Sequence, residues 1–85
     1  MSITLLGNDN SGNARQIYAD RISAMTDDEL LKETENFIWL SAYANNNPRS
    51  DYHWQADACY SECSSRGKDE IYSKAYETAK ARSGG

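Results

Sequence analysis

Valine is absent from this chain of 85 residues, and leucine, isoleucine and phenylalanine together number only 11. That share lies below the roughly 20% under which disorder is common. The 10 alanines, 6 tyrosines and 2 tryptophans supply apolar surface instead, so we expect a folded domain. Because β-branched residues favour strands and alanine favours helices, the composition predicts an all-α fold without a large sheet.

Membrane and export signals are also missing. No run approaches the roughly 18 apolar residues of a membrane-spanning helix, and the start MSITLL has neither a basic segment nor a long apolar stretch. We therefore expect no membrane partner and a cytoplasmic location. Cys59 and Cys63 fit a reducing compartment, because two residues four apart on one helix are badly placed for a disulfide.

Catalytic and metal-binding patterns are equally scarce. The chain has one histidine, no nucleophile elbow and no glycine-rich phosphate loop. His53 and Asp57 lie one helical turn apart, but Cys59 and Cys63 point away from them and no second ligand pair follows. The sequence therefore predicts a non-enzymatic protein with no catalytic residue, metal or other cofactor, and with both cysteines acting as small core residues.

Charge is unevenly distributed along the chain. Residues 1–26 sum to 0, residues 27–62 to −6 and residues 63–85 to +2, which gives the net charge of −4. An acidic balance argues against direct nucleic-acid binding, which depends on phosphate neutralisation by Lys and Arg. We expect the acidic middle and the basic end to attract each other within the fold. Alternatively, the acidic stretch imitates nucleic acid on a basic partner surface.

The chain divides into a flexible N-terminal arm (1–12), a single helical domain (13–82) and a C-terminal tail (83–85). The arm begins with ITLL, a short strand or an apolar segment, and continues into the turn-forming GNDNSG. The domain is expected to be a small bundle of three to four short helices. The second, third and fourth helices are expected to form an antiparallel array.

Turn and capping residues set the helix boundaries. The first helix is predicted over 13–25 and the second from Asp27 to about residue 44, with Thr26 and Glu29 forming a capping box. Asn-Pro at 47–48 ends the second helix. Ser50 caps the third helix, Gly67 ends it, and the fourth covers 69–82.

A helical wheel predicts one buried face for each helix. The predicted core residues are Ala14, Ile17, Tyr18, Ile22 and Met25; Leu30, Leu31, Thr34, Phe37, Ile38, Ser41 and Ala42; Tyr52, Ala56, Cys59, Tyr60 and Cys63; and Ile71, Ala75, Thr78 and Ala79. Both tryptophans lie outside these faces.

The placement of Trp39, Tyr43 and Trp54 away from the core faces has two interpretations. A second layer, formed by the first helix or the N-terminal arm, covers them. Alternatively, the three aromatic residues anchor a protein partner, because Trp and Tyr dominate interface hot spots. In that case Glu35, Arg49 and His53 supply the polar rim.

Two further functions stay open. A small-ligand or nucleotide-binding protein would use Arg66 and Lys68 with Tyr72 and Tyr76. A self-assembling helical module would bury the tryptophan patch in a homodimer.

The stretch from Thr26 to Ala79, about two-thirds of the chain, resembles short accessory proteins of tailed bacteriophages. It carries a D-E-L-L helix, an H-W…A…Y-x-E-C-x-x-R-G-K segment and an I-Y-x-x-A-Y helix. The matching residues of the two later segments are His53, Trp54, Ala58, Tyr60, Glu62, Cys63, Arg66, Gly67, Lys68, Ile71, Tyr72, Ala75 and Tyr76. The resemblance implies binding of a host or defence-system protein in the host cytoplasm, including inhibition of the anti-CRISPR type, and it implies no catalytic residue.

Overall fold

A computed structural model describes residues 3–82 of the chain. It contains four α-helices: α1 (Arg15–Ser23), α2 (Asp27–Tyr43), α3 (Asp51–Ser65) and α4 (Asp69–Arg82). Within the described residues the only β-type pairing is an isolated bridge between Asn8 and Ala14. The all-α prediction is confirmed. The predicted tail at 83–85 lies outside the described residues.

Local capping signals set the helix boundaries. The Thr26 side chain accepts the Glu29 backbone N–H and the Glu29 side chain accepts the Thr26 N–H, which completes the capping box at the start of α2. Ser50 caps α3 through the backbone N–H of Tyr52. Gly67 has a φ of +68°, so it ends α3 in the left-handed conformation that glycine adopts without strain.

The first helix is shorter than predicted at both ends. Ala14 is extended, with a ψ of 133°, because it pairs with Asn8. The predicted start at residue 13 is therefore wrong, and the arm's turn continues up to α1. At the other end, the backbone N–H of Ala24 bonds to Arg21, which closes α1 before the capping box of α2 begins.

Helix α3 is antiparallel to α2, and α4 is antiparallel to α3. Asp27 at the start of α2 contacts Arg66 at the end of α3, while Ser41 near the end of α2 contacts His53 near the start of α3. Helix α4 turns back again, since its last described residue, Arg82, pairs with Glu35 of α2. Neighbours in sequence are thus antiparallel, as predicted.

The core lies between α1, α2 and α3. Its fully buried larger side chains are Ile22, Leu30, Thr34, Cys59 and Cys63. Helix α4 contributes two buried alanines, Ala75 and Ala79. Because alanine is small, it permits the close approach of α4 to the rest of the bundle.

The predicted buried faces of all four helices are partly wrong. Ile17 is 62% exposed, Tyr60 is 49% exposed and Tyr52 is 37% exposed. Three smaller residues predicted in the core are also exposed: Ala14, Ala42 and Thr78. On α3 the buried residues are Ala58, Cys59, Glu62 and Cys63. On α3 the difference arises because α1 packs against a second side of this helix, so the buried side of α3 is turned away from Tyr52 and Tyr60.

The N-terminal arm is non-helical and lies against the bundle. The Gln16 side chain accepts the Leu5 backbone N–H and donates to the carbonyl of Ile3, both at 2.8 Å. Further along, the backbone N–H of Asn10 donates to the carboxylate of Asp51 on α3. These bonds bring Ile3 and Leu5 against the core.

Candidate functional site: an aromatic groove between α2 and α4

Trp39 and Tyr43 form a stacked aromatic pair on α2. Their ring centroids lie 5.5 Å apart with an interplanar angle of 17°. The spacing of four residues places both rings on one side of the helix, and Tyr43 is 77% exposed. The pair therefore presents a preformed aromatic surface whose outer ring faces solvent.

Arg82 of α4 holds the inner ring of this pair. Its guanidinium lies 4.8 Å from the centroid of Trp39, a cation–π distance, and Nη1 donates to Glu35 Oε2 at 3.3 Å. The Glu35–Arg82 ion pair joins the acidic second helix to the basic end of the fourth. Trp39 is half-buried as a result.

An open groove of about 150 Å³ lies beside the stacked pair, between α2 and α4. The small side chains of Ala42 and Ala79 leave room for it, while Trp39 and Tyr76 supply aromatic walls; Ile38 and Lys80 complete the lining. No charged residue occurs between positions 36 and 48 of the sequence. The α2 side of the groove is therefore uncharged, and its charges come from the rim.

Trp54, the third predicted anchor, belongs to a different surface. Its ring packs edge-to-face against Tyr18 of α1, with centroids 5.6 Å apart, and lies under the Arg15 guanidinium at 4.9 Å. Its indole N–H donates to Asp51 Oδ1 at 2.8 Å. Helix α1 therefore covers Trp54 as the second-layer interpretation describes, and the structure does not bring it together with Trp39 and Tyr43.

Two of the predicted rim residues lie at the α2–α3 connection instead of the groove. His53 Nε2 faces the carbonyl oxygens of Ala44 and Asn47, at 3.2 and 2.9 Å, so this nitrogen carries the proton and donates. Nδ1 lies 2.7 Å from the Ser41 hydroxyl. The Arg49 carbonyl accepts from the Asn10 side chain. Of the three predicted rim residues, Glu35 is the one connected to the Trp39–Tyr43 pair, because it binds the Arg82 guanidinium that lies over Trp39.

Arg66, predicted as an alternative ligand-binding residue, is engaged within the fold. Nε donates to Glu62 at 2.8 Å and Nη1 to Asp27 at 2.9 Å. Nη2 donates to the carbonyls of Ile22 and Met25, at 3.0 and 2.8 Å. Every guanidinium nitrogen thus has a partner, and Arg66 joins the end of α3 to the α1–α2 turn.

The other alternative ligand residues also make contacts within the fold. Lys68 pairs with Asp27. The Tyr72 ring packs edge-to-face on Tyr60 at 4.9 Å, and burial raises its pKa. Tyr76 lines the α2–α4 groove. The two cations are therefore both paired with Asp27, whereas the Tyr72 and Tyr76 rings contact each other on α4, with centroids 6.4 Å apart.

Glu62 is a buried charge that the wheel did not identify. It is 3% exposed, and among the described residues its Oε1 is the buried side-chain oxygen without a hydrogen-bond partner. Its spacing of four residues from Arg66 was the available signal, because opposite charges at this spacing meet on one helix face. The wheel placed Glu62 outside the core, since the packing of α1 on that side is a long-range feature.

The two cysteines are core residues, as predicted. Both have no exposed surface, and burial raises the pKa of Cys59 to about 11 and also raises that of Cys63. The Tyr18 hydroxyl lies 3.5 Å from Cys59 Sγ and donates to Glu33 at 2.7 Å. In the part of the chain that the structure describes, no three His, Cys, Asp or Glu side chains come together as metal ligands.

Comparison of the chain with protein-family models, with curated proteins and with solved structures returned no match. Among residues 3–82, no helix has the length and apolar character that crossing a membrane requires. The contact surface of this chain is therefore inferred from the geometry of the groove and of the Trp39–Tyr43 pair.

Proposed function

We propose that this chain is a non-enzymatic protein-binding module whose contact surface is the α2–α4 groove and the Trp39–Tyr43 pair beside it. The observation that carries the proposal is the 77% exposure of Tyr43, a ring already fixed by stacking on Trp39. Large rigid aromatic side chains gain contact area on binding at little entropic cost, and for this reason Trp and Tyr are enriched in hot spots.

The size of the groove favours a protein partner over a free small molecule. Pockets for drug-sized ligands typically measure about 300–1,000 Å³, whereas this groove offers about 150 Å³. A surface with one small recess beside an exposed ring is better suited to a partner that covers the ring and fills the recess. Glu35 and Arg82 then form a polar rim beside the Trp39 ring.

The partner we propose is a host or defence-system protein in the cytoplasm of a bacterial cell, and the chain acts by inhibiting it. This part rests on the resemblance to phage accessory proteins, which includes inhibitors of the anti-CRISPR type.

Affinity capture from bacterial extract tests the proposal, with the intact chain as bait and Tyr43→Ala as the test variant. Loss of a hot-spot residue costs about 2 kcal/mol or more, so we expect capture of the specific partner to fall by roughly 30-fold. Ile17→Ala is the matched control, because Ile17 is also an exposed apolar residue, at 62%, but lies on α1.

Three outcomes would contradict the proposal. Equal capture by Tyr43→Ala and the unmodified chain would remove the pair as the anchor. Loss of capture by Ile17→Ala alone would move the contact to α1. A homodimer that dissociates on Tyr43→Ala substitution, measured by light scattering, would show that the groove binds a second copy instead.

A further inference from the structure

We propose that a recess beside Trp54 binds a free α-amino acid with an apolar side chain of the leucine type. The recess lies between the N-terminal arm, the start of α1 and one side of α3, and it shares no lining residue with the α2–α4 groove. Three features lead to this ligand: an anchored cation, an unpaired carboxylate and an apolar extension.

The recess has two adjoining parts, which share Arg15, Trp54 and Asp57 as lining residues. The first part, of about 390 Å³, extends towards the α2–α3 connection, where Pro48 and Ser50 line it. The second part, of about 360 Å³, extends along the arm. Each volume falls within the roughly 300–1,000 Å³ that is typical of small-molecule sites. The three shared residues lie where the two parts meet.

Arg15 is the anchored cation. Its guanidinium lies 4.9 Å from the centroid of the Trp54 ring, and its Nε donates to the Asn8 carbonyl at 3.1 Å. These two contacts hold the guanidinium in place, whereas its terminal nitrogens have no hydrogen-bond acceptor within residues 3–82. Paired guanidinium N–H donors match the two oxygens of a carboxylate. Arg15 is therefore positioned to bind the carboxylate of a ligand.

Asp57 is the unpaired carboxylate. It follows Trp54 by three residues on α3, and within the described residues its side chain forms no ion pair or hydrogen bond. His53 is not available to Asp57, because Nε2 donates to backbone carbonyls and Nδ1 lies against Ser41. Arg15 lines the same recess but is not paired with Asp57, since its own contacts hold it elsewhere.

Two further charges near the recess leave this arrangement intact. The Asp51 carboxylate accepts the Asn10 backbone N–H and the Trp54 indole N–H, so its oxygens are already engaged. Arg49 lines the first part and has no ion pair within residues 3–82, so it adds to the attraction for a carboxylate. Opposite charges that line one recess without neutralising each other suit a ligand that carries both signs. In an α-amino acid, the carboxylate and the ammonium are attached to the same carbon atom.

The part of the recess along the arm supplies apolar surface. Leu5, Leu6 and Ala58 line it, and Leu6 is 84% exposed. An aliphatic side chain placed there covers the Leu6 side chain, and removing apolar surface from water is favourable in proportion to the area covered. Leucine carries such a side chain together with both charges, which makes it the ligand type that fits all three features.

Titration of the intact chain with L-leucine, followed by NMR, tests this site. The chain has two tryptophans, so its indole N–H region contains two signals, and Trp39→Phe assigns them. We expect a saturable shift of the Trp54 signal at roughly millimolar leucine, the affinity typical of so small a ligand. The Trp39 signal should stay in place, because Trp39 lines the other groove. No shift of the Trp54 signal, or an equal shift of both signals, would overturn the proposal.

Three probes each remove one feature of leucine. 4-Methylpentanoate lacks the ammonium and should bind about 2- to 5-fold more weakly, the effect of one surface ion pair. 3-Methylbutylamine lacks the carboxylate and should bind about tenfold more weakly, because hydrogen bonds between charged groups are the stronger ones. Glycine lacks the side chain and should give no saturable shift over the same range. If leucine and either of the first two probes bind equally, the ligand is not recognised as a zwitterion and the proposal is wrong.

Two substitutions with matched controls locate the ligand on the chain. Asp57→Asn should remove the difference between leucine and 4-methylpentanoate, whereas Asp28→Asn, which changes an exposed acid on α2, should keep it. Ser61→Leu places a larger side chain in the part along the arm and should abolish the Trp54 shift. Ser64→Leu makes the same change at an exposed α3 position that lines neither part, and should leave the shift intact.

Circular dichroism of the four variants checks that the fold is kept. A leucine-dependent Trp54 shift that persists in Ser61→Leu would place the ligand elsewhere and overturn the site. A preference for leucine over 4-methylpentanoate that persists in Asp57→Asn would overturn the assignment of the ammonium to Asp57. Because the recess and the α2–α4 groove have no lining residue in common, these results are independent of the capture experiment.

Discussion

Replacing Arg66 by methionine should cost this protein a large part of its folding free energy. Arg66 is 17% exposed and Glu62, its partner four residues earlier, is 4% exposed by side chain. Arg66 also donates to the carbonyls of Ile22 and Met25 in the α1–α2 turn. The substitution leaves a buried carboxylate with no cation and two carbonyls without their donor.

The magnitude follows from burial. Breaking a buried ion pair by removing one partner costs about 3–5 kcal/mol. Because Arg66 is partly exposed, we expect a loss at the lower end of this range, about 3 kcal/mol. A domain of this length has a total stability of roughly 4–13 kcal/mol. The melting temperature should therefore fall by about 12–24 °C, since 1 kcal/mol corresponds to about 4–8 °C at this size.

Thermal and urea unfolding followed by circular dichroism measure this loss. Arg49→Met is the control: its guanidinium makes no hydrogen bond or ion pair within residues 3–82, so the change should stay within about 0.5 kcal/mol. The decisive variant is the double substitution of Glu62 and Arg66 by methionine. It removes the buried charge as well, so it should recover about 1–2 kcal/mol relative to Arg66→Met. A double variant no more stable than Arg66→Met would refute the reasoning.

Three further predictions concern α2 and the core. Hydrogen bonds from Lys68 and Arg66 hold the pKa of Asp27 below its ordinary value, so its contribution to stability is present at neutral pH and is lost as the pH falls below about 4. Asp27→Asn should therefore flatten the loss of stability in acid, measured by urea unfolding, more than the control Asp28→Asn, which lies in the same first turn. Thr26→Ala removes the capping side chain and should lower the free energy of unfolding by about 1 kcal/mol; no change in urea midpoint would contradict it. Burial raises the pKa of both cysteine thiols. A disulfide reagent at pH 8 should therefore label the cysteines at least about tenfold more slowly in the native chain than in the unfolded chain. Equal labelling rates would show that the cysteines are accessible.

The sequence predicts correctly those features that depend on residues within four positions of each other, such as the ends of helices. The Thr26–Glu29 capping box and the Gly67 terminus are decided locally, and both are confirmed. It failed where an element distant in the chain decides. The buried arc of α3 includes Glu62 and excludes Tyr60 because α1 packs on one side, and no periodicity within α3 contains that information.

The same long-range packing separates the two tryptophans, which the helical wheels treated as equivalent. Trp54 has its ring against Tyr18 and its indole N–H on Asp51, so both its apolar and its polar requirements are met inside the fold. Trp39 lies under the Arg82 guanidinium and stacks on Tyr43, whose ring is exposed. A large aromatic ring that stays exposed contributes little to folding, and in the proposed function it is the part of the surface that the partner covers. The sequence pattern does not contain this difference in environment. It indicates that Trp54 stabilises the fold, and it makes the Trp39–Tyr43 pair the first surface to test for partner binding.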